Sequence, residues 1–171
     1  MCLAKARSSI CRSMTKRPAS TKSHPDIIAP PPLLFAGPWL VGLLLQLLLP
    51  LPRLPPSARI AGLPLMAAGL GLGGWFIWMM RRAGTPVDPY EAPTALVTEG
   101  PFRLTRNPAY VAFTLTYAGL SLIVGTLWSL LLLPAVLLAV DWGVIQREER
   151  YLEEQFGSSY RQYRQHVRRW L

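Results

Sequence analysis

"NPAYVAFTLTYAGLSLIVGTLWSLLLLPAVLLAV", residues 107–140, runs for 34 residues without one charged side chain. An α-helix rises about 1.5 Å per residue, so roughly 20 apolar residues cross a hydrocarbon core about 30 Å thick. The stretch is too long for a single crossing. Extended to Ile145, it divides into two predicted helices, 109–125 and 127–145, hinged at Gly125 and Thr126. Crossings this short need tilt or local thinning of the bilayer.

Two more charge-free stretches lie upstream, at 27–52 and 60–80, and predict spans over 33–49 and 60–80. The chain has 171 residues, 51% hydrophobic and 16% charged, a composition that a compact soluble domain could share. The segregation of charge from apolar runs decides for the membrane. The expected fold class is all-α: a polytopic membrane protein with four transmembrane helices over 27–171, followed by a cytoplasmic tail, 146–171, that ends in an amphipathic helix. Residues 1–26 are expected to be a disordered basic tail, with Met1 or Met14 as the start. No cleavable signal is expected, because the basic leader is long and Pro30, Pro31 and Pro32 interrupt the approach to the first apolar run.

Basic residues set the orientation. Lys5, Arg7, Arg12, Lys16, Arg17 and Lys22 precede the first span, Arg81, Arg82, Arg103 and Arg106 separate the second from the third, and six arginines follow the fourth. The connector between spans one and two has only Arg53 and Arg59. The positive-inside bias puts both termini and the 81–108 connector in the cytoplasm. The net charge of +9 then reflects topology and contact with anionic headgroups, and no nucleic-acid partner is needed to explain it. Cys2 and Cys11 fall in the tail on the reducing side, where a structural disulfide is not expected.

Several signals are discounted. "GLGLGG", residues 69–74, matches a dinucleotide fingerprint in letters only, since it lies inside a predicted span with no strand before it. Gly62, Gly69 and Gly73 are better read as close-packing positions between helices. His24 and His166 are isolated from other ligand types, so no metal site is expected. Trp39, Trp75, Trp78, Trp128 and Trp142 read as interfacial anchors.

Three polar clusters remain. The loop from Thr85 to Tyr110 carries prolines at 86, 89, 93, 101 and 108, each fixing its own φ and biasing its predecessor to extended backbone, which makes the connector stiff. Arg103 and Arg106 could hold an anionic group there. In "DWGVIQREERYLEEQFG", residues 141–157, Asp141, Ile145 and Glu148 share a helix face and Glu149 and Glu153 form an adjacent stripe. Asp141 is costly near the membrane unless it faces a wet cavity or pairs with a cation such as Arg106. In the last fifteen residues, Gly157 suits a helix stop, and Ser159 with Gln162 predicts a capping box. Tyr160, Tyr163, Val167 and Trp170 would mark one face of a helix lying on the membrane or folded over the loop.

These residues together resemble the isoprenylcysteine carboxyl methyltransferase and phospholipid methyltransferase group of integral membrane enzymes. "TALVTEGPFRLTRNPAY" and "REERYLEEQFGSSYRQYRQHVRRWL" carry the likeness, which spans roughly residues 85–171. The resemblance implies transfer of a methyl group from S-adenosylmethionine to a lipophilic or lipid-anchored acceptor, a carboxylate or an amine, among membrane lipids at the cytoplasmic face. It implies a cofactor loop at 85–108 and a pocket of Thr94, Ala95, Leu96, Val97, Phe102, Asn107, Pro108, Tyr110, Glu148 and Glu149. The residue types suit such a ligand: carboxylates accept from hydroxyl and ammonium groups, rings wall an adenine, and Arg106 can meet a carboxylate. Arg106, Asp141 and Glu148 are the candidates for a catalytic role.

Three positions depart from the group's pattern. Asn107 stands where many members have histidine and cannot titrate, Ala112 occupies a frequent glycine site, and Val144 replaces an arginine that contacts substrate in prenylcysteine methyltransferases. Two other classes compete with the methyltransferase reading. One is a membrane reductase of the sterol-reductase type, using Arg103 and Arg106 for a nicotinamide cofactor's phosphates. The other is a non-catalytic membrane protein with a lipid-binding tail.

Overall fold

The computed structural model describes residues 30–87 and 91–171. The expectations for the tail at 1–26, with Cys2, Cys11, Met14 and His24, lie outside the described residues, as does Pro89 of the loop.

The described residues are helical, without strands. The elements are α1 (Pro31–Leu48), α2 (Pro56–Arg82), a 3₁₀ turn (Gly100–Arg103), α3 (Pro108–Val124), α4 (Leu127–Val140), a π-turn (Asp141–Ile145), α5 (Gln146–Phe156) and α6 (Ser158–His166). Helices α1, α2 and α3 each open on proline, whose fixed φ suits the first turn and whose missing N–H costs nothing there. Three helical segments are long and apolar enough to cross a membrane: α1, α2 and the continuous run Leu127–Phe156. Helix α3 is apolar but has 17 residues. The predicted hinge is present, with Gly125 at φ 80° closing α3.

Helix α2 packs mainly along α3, and α1 along α4. Small residues allow the first pairing. A Cβ added at Gly69 would stand 2.5 Å from Thr116 Oγ1, and one at Gly62 2.5 Å from the Gly119 carbonyl. Gly73 departs from the packing expectation: its added Cβ would meet Ala112 Cβ at an ordinary 3.6 Å, and the residue lines a cavity.

A buried cluster of Phe35, Tyr110, Tyr117, Val136, Val140, Val144 and Ile145 joins α1, α3, α4 and the π-turn. Phe35 stacks on Phe113 at 5.4 Å, and the Tyr117 hydroxyl donates to the Ser129 carbonyl at 2.8 Å. At the far end, Trp128 Nε1 donates to the Leu49 carbonyl at 2.8 Å and Arg59 Nη2 to the Val124 carbonyl at 3.3 Å, so each occupies a helix-end acceptor. Trp39 is half-buried against the core cluster, whereas Trp75, Trp78 and Trp142 are exposed.

The tail differs from expectation in two ways. Gly157, at φ 53°, separates α5 from α6, but α6 has no side-chain cap, so the Ser159 and Gln162 capping box does not form. Helix α6 also ends at His166, leaving Val167 extended. Trp170 therefore reaches the core from an extended strap, not from a continued helix face. The strap folds over the loop: the carbonyl of Arg168 accepts from the Arg106 N–H at 2.9 Å, and that of Arg169 accepts from Thr105 Oγ1 at 2.9 Å and Asn107 Nδ2 at 3.0 Å.

Candidate functional site

A cavity of about 390 Å³ opens where the loop, α2, α3, α5 and α6 converge. Its apolar part is lined by Gly73, Phe76, Ile77 and Met80 of α2, Ala112 and Phe113 of α3, and Pro31 and Pro32 of α1. Its polar end holds Arg106, Glu148 and Glu149, with Tyr110, Tyr160 and Tyr163 around them. The volume falls within the roughly 300–1,000 Å³ typical of small-molecule sites.

The loop is fastened at both ends. Near its start, the Thr94 N–H donates to Thr85 Oγ1 at 3.1 Å and Thr94 Oγ1 donates to the Gly84 carbonyl at 3.0 Å. Near its end, Tyr163 donates to the Phe102 carbonyl at 2.7 Å, and the Phe102 ring lies 5.8 Å from that of Phe76. Gly100 adopts φ 61°, and a Cβ there would stand 2.9 Å from Met79 Cγ, so glycine serves both the turn and the close approach to α2.

The polar end is a charge network. Tyr110 donates to Glu148 Oε1 at 2.9 Å. Glu149, 6% exposed, accepts a two-point contact from Arg169, from Nε at 3.2 Å and from Nη2 at 2.8 Å. Arg106 Nη1 lies 3.2 Å from Glu149 Oε1 but is misaligned for hydrogen bonding, and neither Nε nor Nη1 of this buried side chain has a hydrogen-bond partner. The apolar part of the last spanning helix stops at Ile145, so Glu148 stands on its polar continuation. Desolvation pushes the Glu148 carboxyl up to about 7; the Tyr110 hydrogen bond opposes that rise and the Glu149 charge adds to it. Burial likewise pushes the Tyr160 phenol up to about 12, with the Glu149 charge adding and the Arg106 guanidinium opposing.

The phospholipid methyltransferase family model matches residues 57–159. The chain belongs to the phospholipid methyltransferase family. It is also 40% identical over 72 residues to a protein-S-isoprenylcysteine O-methyltransferase of Schizosaccharomyces pombe, covering 42% of this chain and 30% of that protein. An uncharacterized protein of Haemophilus influenzae is 47% identical over 57 residues, covering 30% of this chain and 90% of that protein. No solved structure matches the chain. Family and apolar helices together make it an integral membrane protein.

Of the residues that the family likeness implied for a pocket, the structure brings Ala95, Leu96, Val97, Phe102, Asn107, Pro108, Tyr110, Glu148 and Glu149 to one cavity wall, together with Arg106, which was singled out by its chemistry. Thr94 is not on it and staples the loop instead. Asn107 spends its side-chain amide on the strap. Arg103 is exposed away from the cavity, and Val144 is fully buried in the core.

Asp141 also lies off the cavity wall, accepting from Gln146 Nε2 at 2.9 Å and pairing with Arg169 Nη1 at 3.3 Å, not with Arg106. The π-turn explains this. In an α-helix Asp141 would share a face with Glu148, but a π-turn absorbs one extra residue, and Asp141 comes into line with Glu149. Arg169 bridges the two. Its role was hidden in the sequence, where it reads as one more arginine of a basic tail.

Proposed function

We propose that the protein transfers a methyl group from S-adenosylmethionine to a lipophilic or lipid-anchored acceptor, a carboxylate or an amine. The reaction takes place at the cytoplasmic face of a membrane that the chain crosses four times, α3 being the short crossing and both termini lying in the cytoplasm. The observation that carries this reading is the convergence of the two sequence segments that resemble the family's motifs, the loop ending at Tyr110 and the acidic pair on α5, on the walls of one cavity. The positive-inside distribution of arginine and lysine supports the orientation.

The residues suit the cofactor. The unpartnered Nε and Nη1 of Arg106 fit the carboxylate of its amino-acid end, Glu148 fits hydroxyl or ammonium donors, and Phe102 with the tyrosines suits its ring. When bound, the sulfonium supplies an electrophilic methyl group. The chain's own contribution is alignment and exclusion of water by the apolar walls. An ionised carboxylate acceptor needs no base. An amine must lose a proton, and Glu148, held near neutrality, is the carboxyl placed to take it.

The test is incubation of the purified protein with a lipid extract and isotopically labelled S-adenosylmethionine, followed by mass spectrometry of the lipid fraction. Label in a lipid is expected. Absence of label, with thermal stabilisation by a reduced nicotinamide cofactor and none by S-adenosylhomocysteine, would overturn the proposal.

A further inference from the structure

The C-terminal strap carries a guanidinium whose placement the proposed function leaves unused. Arg169 is fixed twice. Its carbonyl is held by Thr105 and Asn107 of the loop, while its side chain spans Glu149 on one flank and Asp141 on the other. Its side chain is 30% exposed, against 9% for Arg106 and 7% for Glu149, so the strap delivers a cation from the rim to a carboxylate recessed below it.

A recessed carboxylate beside a recessed guanidinium ordinarily closes into a parallel two-point fork, the strongest geometry open to the pair. Arg106 and Glu149 are near enough, at 3.2 Å, yet they do not close. Arg169 already holds the fork, contacting Oε1 through Nε and Oε2 through Nη2. Arg106 is thereby left charged, recessed and with idle donors on the cavity wall.

We infer that Arg169 is a positioning residue: by occupying Glu149 from the strap, it keeps Arg106 from closing onto that carboxylate and reserves Arg106 Nε and Nη1 for the carboxylate at the amino-acid end of the methyl donor. The inference rests on the methyl-donor reading of the cavity. It makes the last residues of the chain part of ligand selection, although on this reading Arg169 itself touches no ligand.

The test compares two nucleosides on the detergent-solubilised full chain. S-adenosylhomocysteine carries the amino-acid end; 5′-methylthioadenosine keeps the adenosine and sulfur without it. Wild type is expected to prefer S-adenosylhomocysteine. Arg169→Gln is expected to lower that affinity about tenfold, the scale of a charge-assisted contact, while 5′-methylthioadenosine changes less than about twofold. Arg169→Lys keeps the charge but cannot form the fork, and is expected to lose about threefold of the preference, a readout that stands if the glutamine variant fails to fold. An unchanged ratio of the two affinities in either folded variant overturns the inference, whether both affinities fall together or neither moves. Failure of wild type to bind either nucleoside overturns the proposed function and this inference with it, whereas wild-type binding with an unchanged ratio removes this inference alone.

Discussion

The Tyr110 hydroxyl sits 2.9 Å from Glu148 Oε1 and donates to it, tying the first turn of α3 to the polar extension of the last spanning helix. One hydrogen bond thus joins the two sequence segments on which the functional reading depends. Tyr110→Phe removes the donor and keeps the ring. A hydrogen bond contributes about 0.5–1.5 kcal/mol between neutral groups and about 1.5–3 kcal/mol to a charged one. With the Glu148 carboxyl pushed up to about 7, loss of the bond that orients it is expected to weaken binding of S-adenosylhomocysteine at pH 7 by up to about tenfold. Isothermal titration calorimetry in detergent checks this, and an unaltered affinity would detach the pair from the site.

The Glu148 carboxyl, pushed up from 4.5 to about 7, makes stability depend on pH in a definite direction. The unfolded chain releases this proton near 4.5 while the folded chain keeps it to about 7, so the folded state holds more protons in that window and loses stability as pH rises through it. The thermal midpoint of wild type is expected to fall between those pH values. Glu148→Gln is expected to flatten this part of the profile. Thermal unfolding at stepped pH measures both, and a midpoint rising across the window in wild type would contradict the assignment.

Packing of α2 on α3 discriminates between glycines of one helix. Gly69→Val forces a Cβ to within 2.5 Å of Thr116 Oγ1 and 2.7 Å of its backbone nitrogen. Overpacking of this kind costs about 1–3 kcal/mol. Gly71 has nothing within 4 Å of an added Cβ, so Gly71→Ala is expected to be neutral or to stabilise by about 0.5–1 kcal/mol through helix propensity. Unfolding midpoints of the two variants in one detergent should move apart.

Gly73 is a position at which the proposed acceptor and the proposed cofactor can be told apart. Its added Cβ meets only Ala112 Cβ at 3.6 Å, so a larger side chain enters the apolar arm of the cavity without pushing α2 off α3. Gly73→Leu is expected to lower methyl transfer to a lipid by about tenfold or more while leaving S-adenosylhomocysteine affinity within about twofold, since occlusion of an apolar arm spares the polar end. A steady-state assay beside a binding titration reads the difference.

Much of this architecture was legible because charge-free length marks the apolar helices, and because Gly125 has the backbone freedom to reverse the chain between α3 and α4. The polar end of the cavity was legible for a different cause: its residues lie in two contiguous segments whose likeness to known enzymes is local in sequence, whereas the apolar lining from α1 and α2 lies outside both. What escaped was determined by tertiary contact. Arg169 is indistinguishable from its basic neighbours until the strap folds back. Thr94 looks like part of the wall until its hydroxyl and N–H are seen holding the loop base. The assignment of Asp141 to the Glu148 face failed because it assumed α geometry across residues that form a π-turn.

That turn makes the phase of α5 depend on the backbone geometry kept over residues 141–145. Loss of one residue there would restore an ordinary α-turn and leave Glu149 in line with Asp141, since the wider turn absorbs the residue removed; relaxation of the full-length segment to α geometry would instead swing α5 by about 100° about its axis. Both acidic side chains would leave the cavity together, although every contacting side chain remained in the polypeptide. A substitution that closes the π-turn at full length is accordingly a more severe lesion for this protein than loss of one residue from the same five positions.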